Sequence, residues 1–218
     1  MTSRVPKKPT SLARRLMMAA GVALVMLPSA GFAFTAQQVQ ALQLVSRKFT
    51  AYTTMSGDFV QYGPDGSKTQ GRFYISRPGR IRFDYAAPST LDVVSDGKSV
   101  LVHDRRLVTY DLWPLSQTPL KFLLDSQLDL SSSSKVTGVE IEPDLIQVVI
   151  SDDRRFGGGK LSLVFDKQTD ELRHWTVTDQ QGLDTSVDLF NIKYGMPIPD
   201  QTFKISYTSV TNAARERK

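Results

Sequence analysis

The sequence predicts a mainly β fold, an antiparallel sandwich or barrel of about 12 short strands accompanied by two helices. Two observations carry that reading. From residue 58 onward apolar and polar residues alternate with period two, and turn signals recur at short, regular intervals. Only two stretches break the alternation with helical spacing, one at the start of the globular part and one near its middle.

The first 33 residues stand apart. Arg4, Lys7, Lys8, Arg14 and Arg15 form a basic region without an acid, the apolar run Leu16–Leu27 follows, and Pro28 with Gly31-Phe32-Ala33 supplies a small-x-small cleavage site. The apolar run is about 12 residues, short of the roughly 20 needed to cross a bilayer. Residues 1–33 therefore read as an export signal, with mature protein from Phe34 and a periplasmic destination. Arg14-Arg15 is a weak pointer to twin-arginine export, since paired arginines are common in such regions.

Thr35 and Gln38 have capping-box spacing, and Leu42, Val45, Phe49 and Tyr52 recur on one helical face, so a helix is expected over 36–52. Strands are expected at 58–62, 70–76 and 80–86, separated by Pro64-Asp65-Gly66-Ser67 and Pro78-Gly79. Further strands are expected at 90–94, 98–104 and 106–112. Thr118-Pro119 then offers a hydroxyl cap and a proline start for a second helix carrying Leu120, Leu123 and Leu124. Six more strands, at 136–142, 145–151, 160–166, 171–179, 183–193 and 202–207, complete the pattern. Gly157-Gly158-Gly159 and Asp166–Asp170 mark turns. A single domain over 34–210 is expected, with 211–218 a frayed polar tail. Twelve strands in one curved sheet enclose more volume than their side chains fill, and two apolar helices suit a plug or lid.

Composition removes several classes of chemistry. The chain has 218 residues and no cysteine, which excludes disulfides, thiolate metal sites and a thiol nucleophile. The pI of 9.4 comes from the leader, because residues 34–218 hold 22 basic and 22 acidic side chains; no nucleic-acid-binding stripe results. His103 and His174 lack partners at metal-ligand spacing, so both read as structural or surface residues and no metal or cofactor is expected. Gly157-Gly158-Gly159-Lys160 lacks P-loop spacing, and Asp152-Asp153 is neutralised by Arg154-Arg155. No enzymatic motif is present.

Three stretches carry a resemblance. They are Gly57-Asp58-Phe59-Val60-Gln61 with Asp65-Gly66 and Gly71-Arg72-Phe73; Arg77-Pro78-Gly79-Arg80-Ile81-Arg82-Phe83-Asp84-Tyr85 with Pro88; and Val94-Ser95-Asp96-Gly97-Lys98 with Thr118-Pro119-Leu120 downstream. In this order, behind an export signal, they resemble the periplasmic outer-membrane lipoprotein carrier (LolA) family over residues 36–125. The resemblance implies an incomplete antiparallel β-barrel of about 11 strands, with a lid of α-helices over an apolar cavity. It implies a monomeric carrier that takes lipoprotein acyl chains from an inner-membrane lipoprotein-releasing ABC transporter towards the outer membrane, where a receptor accepts them in some members. An envelope lipid or lipoprotein sensor of the same fold, bound to a membrane regulator, is the alternative.

The resemblance also implies roles. Arg77 corresponds to an arginine that latches the lid by hydrogen-bonding backbone carbonyls of its helices. Phe59, Phe73, Ile75, Ile81, Phe83 and Tyr85 are the expected acyl-cavity wall. Leu42, Val45, Phe49, Leu120, Leu123 and Leu124 are the expected lid underside. Two features depart from the family's pattern: Arg80 stands where members often carry an apolar residue, and a proline-rich extension is missing after Tyr207. The physical demand on such a carrier is plain, since each methylene left in water costs about 0.8 kcal/mol. The carrier must offer comparable apolar surface and still let go.

Overall fold

The computed structural model describes residues 34–151 and 159–216. The export signal at 1–33 and the Asp152–Arg155 segment lie outside those residues. The chain begins with α1 (Ala36–Thr50) and continues through six strands, β1 (Thr54–Tyr62), β2 (Lys68–Ser76), β3 (Arg80–Tyr85), β4 (Leu91–Asp96), β5 (Ser99–Asp104) and β6 (Thr109–Pro114). A 3₁₀ turn (Leu115–Gln117) and a one-turn helix α2 (Leu120–Leu123) lead on to β7 (Val136–Ile141), β8 (Leu145–Ser151), β9 (Lys160–Asp166), β10 (Leu172–Thr178) and β11 (Asp184–Tyr194). A second 3₁₀ turn (Asp200–Phe203) and helix α3 (Tyr207–Glu216) end the described chain.

The eleven strands form one antiparallel sheet in the order β6-β5-β4-β3-β2-β1-β11-β10-β9-β8-β7. First and last strands meet in the middle, with Phe59 opposite Leu189. The two edges, β6 and β7, are consecutive in sequence and are joined by residues 115–135. The sheet is strongly curved. Phe83 on β3 and Trp175 on β10 lie four strands apart, about 19 Å in a flat sheet at ~4.8 Å per strand. Their ring centroids are 6.0 Å apart. This is an open half-barrel, as expected.

Odd-numbered residues of β1 to β3 face the hollow, which is why Met55, Phe59, Phe73, Ile75, Ile81 and Phe83 are buried while their neighbours other than Ser76 are not. Gly57 sits in that row because a side chain there would strike the Phe73 ring and the Phe190 carbonyl; a Cβ would lie 2.9 Å and 2.6 Å from them. Helix α1 closes one part of the hollow. Its start is the expected capping box: Gln38 N–H donates to the Thr35 hydroxyl at 3.2 Å, and Thr35 N–H donates to Gln38 Oε1 at 2.8 Å. Gln38 also donates from Nε2 to the Val139 carbonyl at 2.9 Å, which ties the helix to edge strand β7. Ala41, Leu42, Val45 and Phe49 form its buried stripe. Tyr52, expected as the stripe's fourth member, falls after the helix end and is exposed, its ring against Tyr194.

Four further expectations are corrected. Thr118 does not cap α2; its hydroxyl donates to the Leu115 carbonyl at 3.0 Å, closing the preceding 3₁₀ turn instead. Trp113 and Pro114, read as a break, complete β6. Residues 202–207 do not make a twelfth strand. Phe203 closes the second 3₁₀ turn and Ile205 follows in a short extended strap across the convex face, so their two-residue spacing only mimics a strand. Ile205 packs there with Val94 and Leu101, a small second core joined by Tyr110 and Val210. The strap then continues as α3, so residues 211–216 extend a helix rather than fray. Arg80 holds the strap by an ion pair with Asp200 at 2.6 Å and lies over the Phe203 ring, and Tyr207 donates to Asp96 at 2.8 Å. The peptide bonds before Pro78 and Pro88 are cis. No helix among the described residues is long and apolar enough to cross a membrane.

Candidate functional site

The β2–β3 turn, Arg77-Pro78-Gly79, is where sheet and helices are fastened together. Gly79 has φ +80°, and a Cβ there would lie 2.8 Å from the Gly97 Cα, so the turn needs glycine for both conformation and space. The buried Ser95 hydroxyl donates to the Gly79 carbonyl at 2.8 Å and fixes the turn against the β4–β5 hairpin. On the opposite side, the Gly79 N–H donates to the Leu124 carbonyl at 2.9 Å, at the end of α2.

Arg77 extends from this turn into the interior and is only 5% exposed. Its Nε donates to the Leu123 carbonyl at 3.2 Å, and Nη1 donates to the carbonyls of Phe49 (3.0 Å) and Tyr52 (3.1 Å). Its guanidinium carbon sits 3.9 Å from the centroid of the Phe49 ring. Two of these carbonyls belong to the last turns of α1 and α2, which lack intrahelical donors and carry the negative end of the helix dipole. One cation therefore caps two helices. Burial pushes the guanidinium pKa down to about 10, which leaves it charged at neutral pH. Among the described residues its Nη2 has no hydrogen-bond partner.

A cavity of about 730 Å³ lies between the inner face of the sheet and the segment 117–120. Phe83, Val93, Val100, Trp175, Val187 and Leu120 give it apolar walls. The end nearest the β10–β11 turn is polar, lined by Gln61, Thr178, Asp179, Gln180, Gln181 and Thr185. Tyr85 donates to Gln61 Oε1 at 2.7 Å, and burial pushes the tyrosine's pKa well above its ordinary value.

The residues expected at the site divide into two groups. Phe83, Tyr85 and Leu120 line the cavity. Phe59, Phe73, Ile75 and Ile81 lie instead in the packed interior, at 0–1% exposure, together with Leu42, Val45, Phe49, Leu123 and Leu124 from the helices. Alternation identifies a strand's inner face but does not say which part of that face a helix covers. Trp113, Trp175, Val187 and Gln61 line the cavity without having been singled out. Inward alternation was the available signal for Trp175, Val187 and Gln61 in β10, β11 and β1; Trp113, 56% exposed, shares its face of β6 with Thr109 and Asp111 and offered none. His103 stacks on Tyr110, and His174 lies between Asp188 (2.6 Å) and Thr176 (2.9 Å). Among the described residues no group of three His, Asp or Glu side chains is placed to hold a metal ion.

Residues 50–206 match the family model described as outer membrane lipoprotein carrier protein LolA, a span that includes all eleven strands. An outer-membrane lipoprotein carrier protein of Methylococcus capsulatus is 25% identical over 193 residues, covering 84% of this chain and 92% of that protein. The protein of the same name from Pseudomonas putida is 24% identical over 189 residues, covering 83% and 84%. Among solved structures, a LolA superfamily protein from Nitrosomonas europaea aligns with a TM-score of 0.39 at 9% identity, over 78% of this chain and 99% of its own. With its strands matched from the first to the last, this chain belongs to the outer membrane lipoprotein carrier protein family, LolA.

Proposed function

We propose that the protein is a periplasmic carrier that holds the acyl chains of lipoproteins in its cavity. It receives them from an inner-membrane lipoprotein-releasing ABC transporter and delivers them to the outer membrane, by way of a receptor where one exists. The observation that carries this reading is the apolar cavity roofed by the segment leading into α2, whose end is fastened together with that of α1 by the buried Arg77. A carrier has to bind chains that are costly to expose and then release them. A lid held by a few hydrogen bonds gives that reversibility, because a ligand shifts a two-state equilibrium only by its differential affinity.

At roughly 30 Å³ for a water-sized group such as a methylene, 730 Å³ holds about two dozen of them, fewer than three long acyl chains require. Full loading therefore requires α1 and α2 to lift. Phe59, Phe73, Ile75 and Ile81 would then join Phe83 and Tyr85 as the cavity wall, with Leu42, Val45, Phe49, Leu120, Leu123 and Leu124 as the underside of the lid. Arg77 is the latch in this scheme.

The test adds purified residues 34–218 to spheroplasts that are making labelled lipoproteins. A soluble 1:1 complex that depends on the protein is expected. Lipoproteins that stay on the spheroplast membrane at every concentration of added protein would refute the carrier role.

A further inference from the structure

One end of the cavity holds a hydrogen-bonded polar pair, Tyr85 and Gln61, beside apolar walls. Along β1 the inward row reads Met55, Gly57, Phe59, Gln61, three apolar or small residues and then an amide. Gln61 lies next to the last residue of β1, and Tyr85 is the last residue of β3. Thr178 ends β10 and Thr185 lies near the start of β11, at the same end of the sheet. Val100, Phe83, Trp175 and Leu120 line the remainder, with Gln117 and Thr118 at the segment that roofs it.

We propose that Gln61, oriented by Tyr85, is the site that recognises the carbonyl of an acyl ester or amide, so that chains enter methyl end first and stop with the carbonyl at Gln61. The Tyr85 hydroxyl occupies Gln61 Oε1 at 2.7 Å, which directs the opposite side of the amide, its two N–H donors, away from the tyrosine. No described residue accepts from Gln61 Nε2. A cavity-lining donor pair beside apolar walls is matched by an acceptor on an otherwise apolar ligand. Ester and amide carbonyls are the acceptors found at the head of an acyl chain. Tyr85 acts here as a positioning residue: it is almost fully buried, its ring packs edge-on against Phe59 at 5.1 Å, and it selects which face of the amide is presented. This inference rests on the lipid-carrying reading and adds to it the orientation of the ligand and the class of linkage recognised.

The experiment compares 1-palmitoylglycerol with 1-O-hexadecylglycerol, which have the same chain and headgroup but differ in having an ester carbonyl or an ether. Binding is read from the fluorescence of Trp113 and Trp175, both in the cavity wall. One net hydrogen bond of about 1 kcal/mol gives the wild-type protein roughly a fivefold preference for the ester. Gln61→Leu should abolish that preference, bringing the ratio of ester to ether affinity to about one. Tyr85→Phe, nearly isosteric and without the orienting hydroxyl, should reduce the same ratio. Equal wild-type affinity for ester and ether overturns the proposal, as does a Gln61→Leu variant that loses both ligands in parallel. If the wild-type protein binds neither lipid, the carrier reading itself falls, an outcome separate from the loss of ester preference.

Discussion

Replacing Arg77 with methionine tests the latch quantitatively. The substitution keeps an unbranched side chain in the interior and removes three hydrogen bonds to the carbonyls of Phe49, Tyr52 and Leu123. Bonds from a charged donor contribute about 1.5–3 kcal/mol each. Against that stands the burial cost of the guanidinium. Its pKa falls from 12.5 to about 10, and at ~1.36 kcal/mol per unit this cost is about 3 kcal/mol, recovered on substitution. The net weakening of the closed lid is about 3 kcal/mol. If acyl chains must lift the lid to bind, removing that barrier raises their apparent affinity by about 100-fold and slows their release. The thermal midpoint should fall at the same time by about 6–12 °C for a domain of this size. Acyl-ligand titration, with hydrogen exchange of the amides around Phe49 and Leu123, measures both effects. An Arg77→Met protein with unchanged ligand affinity and wild-type exchange at those amides would remove Arg77 from the latch role.

Three other perturbations have defined outcomes. Gly66→Ala and Gly79→Ala both place alanine at φ near +80°, a penalty of about 1–2 kcal/mol, but Gly66 faces open space while Gly79 abuts the Gly97 backbone. Urea unfolding should show the Gly79 variant to be the less stable by a further ~1–3 kcal/mol, and equal stabilities would contradict the close approach. Ser46→Ala leaves the buried Leu130 N–H without the hydroxyl it donates to at 3.0 Å, for a loss of about 1–3 kcal/mol in equilibrium unfolding. Burial disfavours the Asp96 carboxylate, but hydrogen bonds from the Ser99 and Lys98 N–H groups and the Tyr207 hydroxyl outweigh it and hold its pKa below the ordinary value. The stability it contributes is complete above about pH 4 and is lost as pH falls through the lower folded value. Melting curves between pH 6 and 2.5 should therefore show a smaller acid loss in Asp96→Asn than in the wild type.

The sheet was legible in the sequence because its strands β1, β3, β8 and β9 alternate between a buried and a more exposed face. The capping box at Thr35 and Gln38 and the turns at Pro78-Gly79 and Gly97 are local chemistry that tertiary contacts did not override. The strap at 200–206 was not legible as such. Its inward residues obey the same period of two as a strand, but Phe203 and Ile205 are buried against the back of the sheet without joining it. Helix α3 was missed because its stripe, Tyr207, Val210 and Ala213, is short and only partly buried. At the site, Arg77 was found through its surrounding motif rather than through its own pattern, since an arginine before proline is ordinarily exposed. The division between cavity wall and packed core was invisible for a geometric reason: it depends on where α1 and the 115–135 connection cross the hollow. Arg80, a departure from the family's pattern, finds its reason in the strap it anchors through Asp200 and Phe203.

The pairing of β1 with β11 has a consequence for how the chain reaches its native state. Strands β1 to β6 and β7 to β11 are each a meander of neighbouring hairpins, contacts that form early because little chain entropy is lost in closing them. The seam between the two meanders joins groups as distant as Asp58 and Asn191, 133 residues apart, and contacts of that range slow folding. Until β11 has been made and docked, β1 presents a bare hydrogen-bonding edge, with Met55 and Phe59 on the face beside it. Such an edge is a template for pairing with the wrong chain. The first strand synthesised is thus among the last to be satisfied, and the interval before the seam closes is when this protein is most open to aggregation.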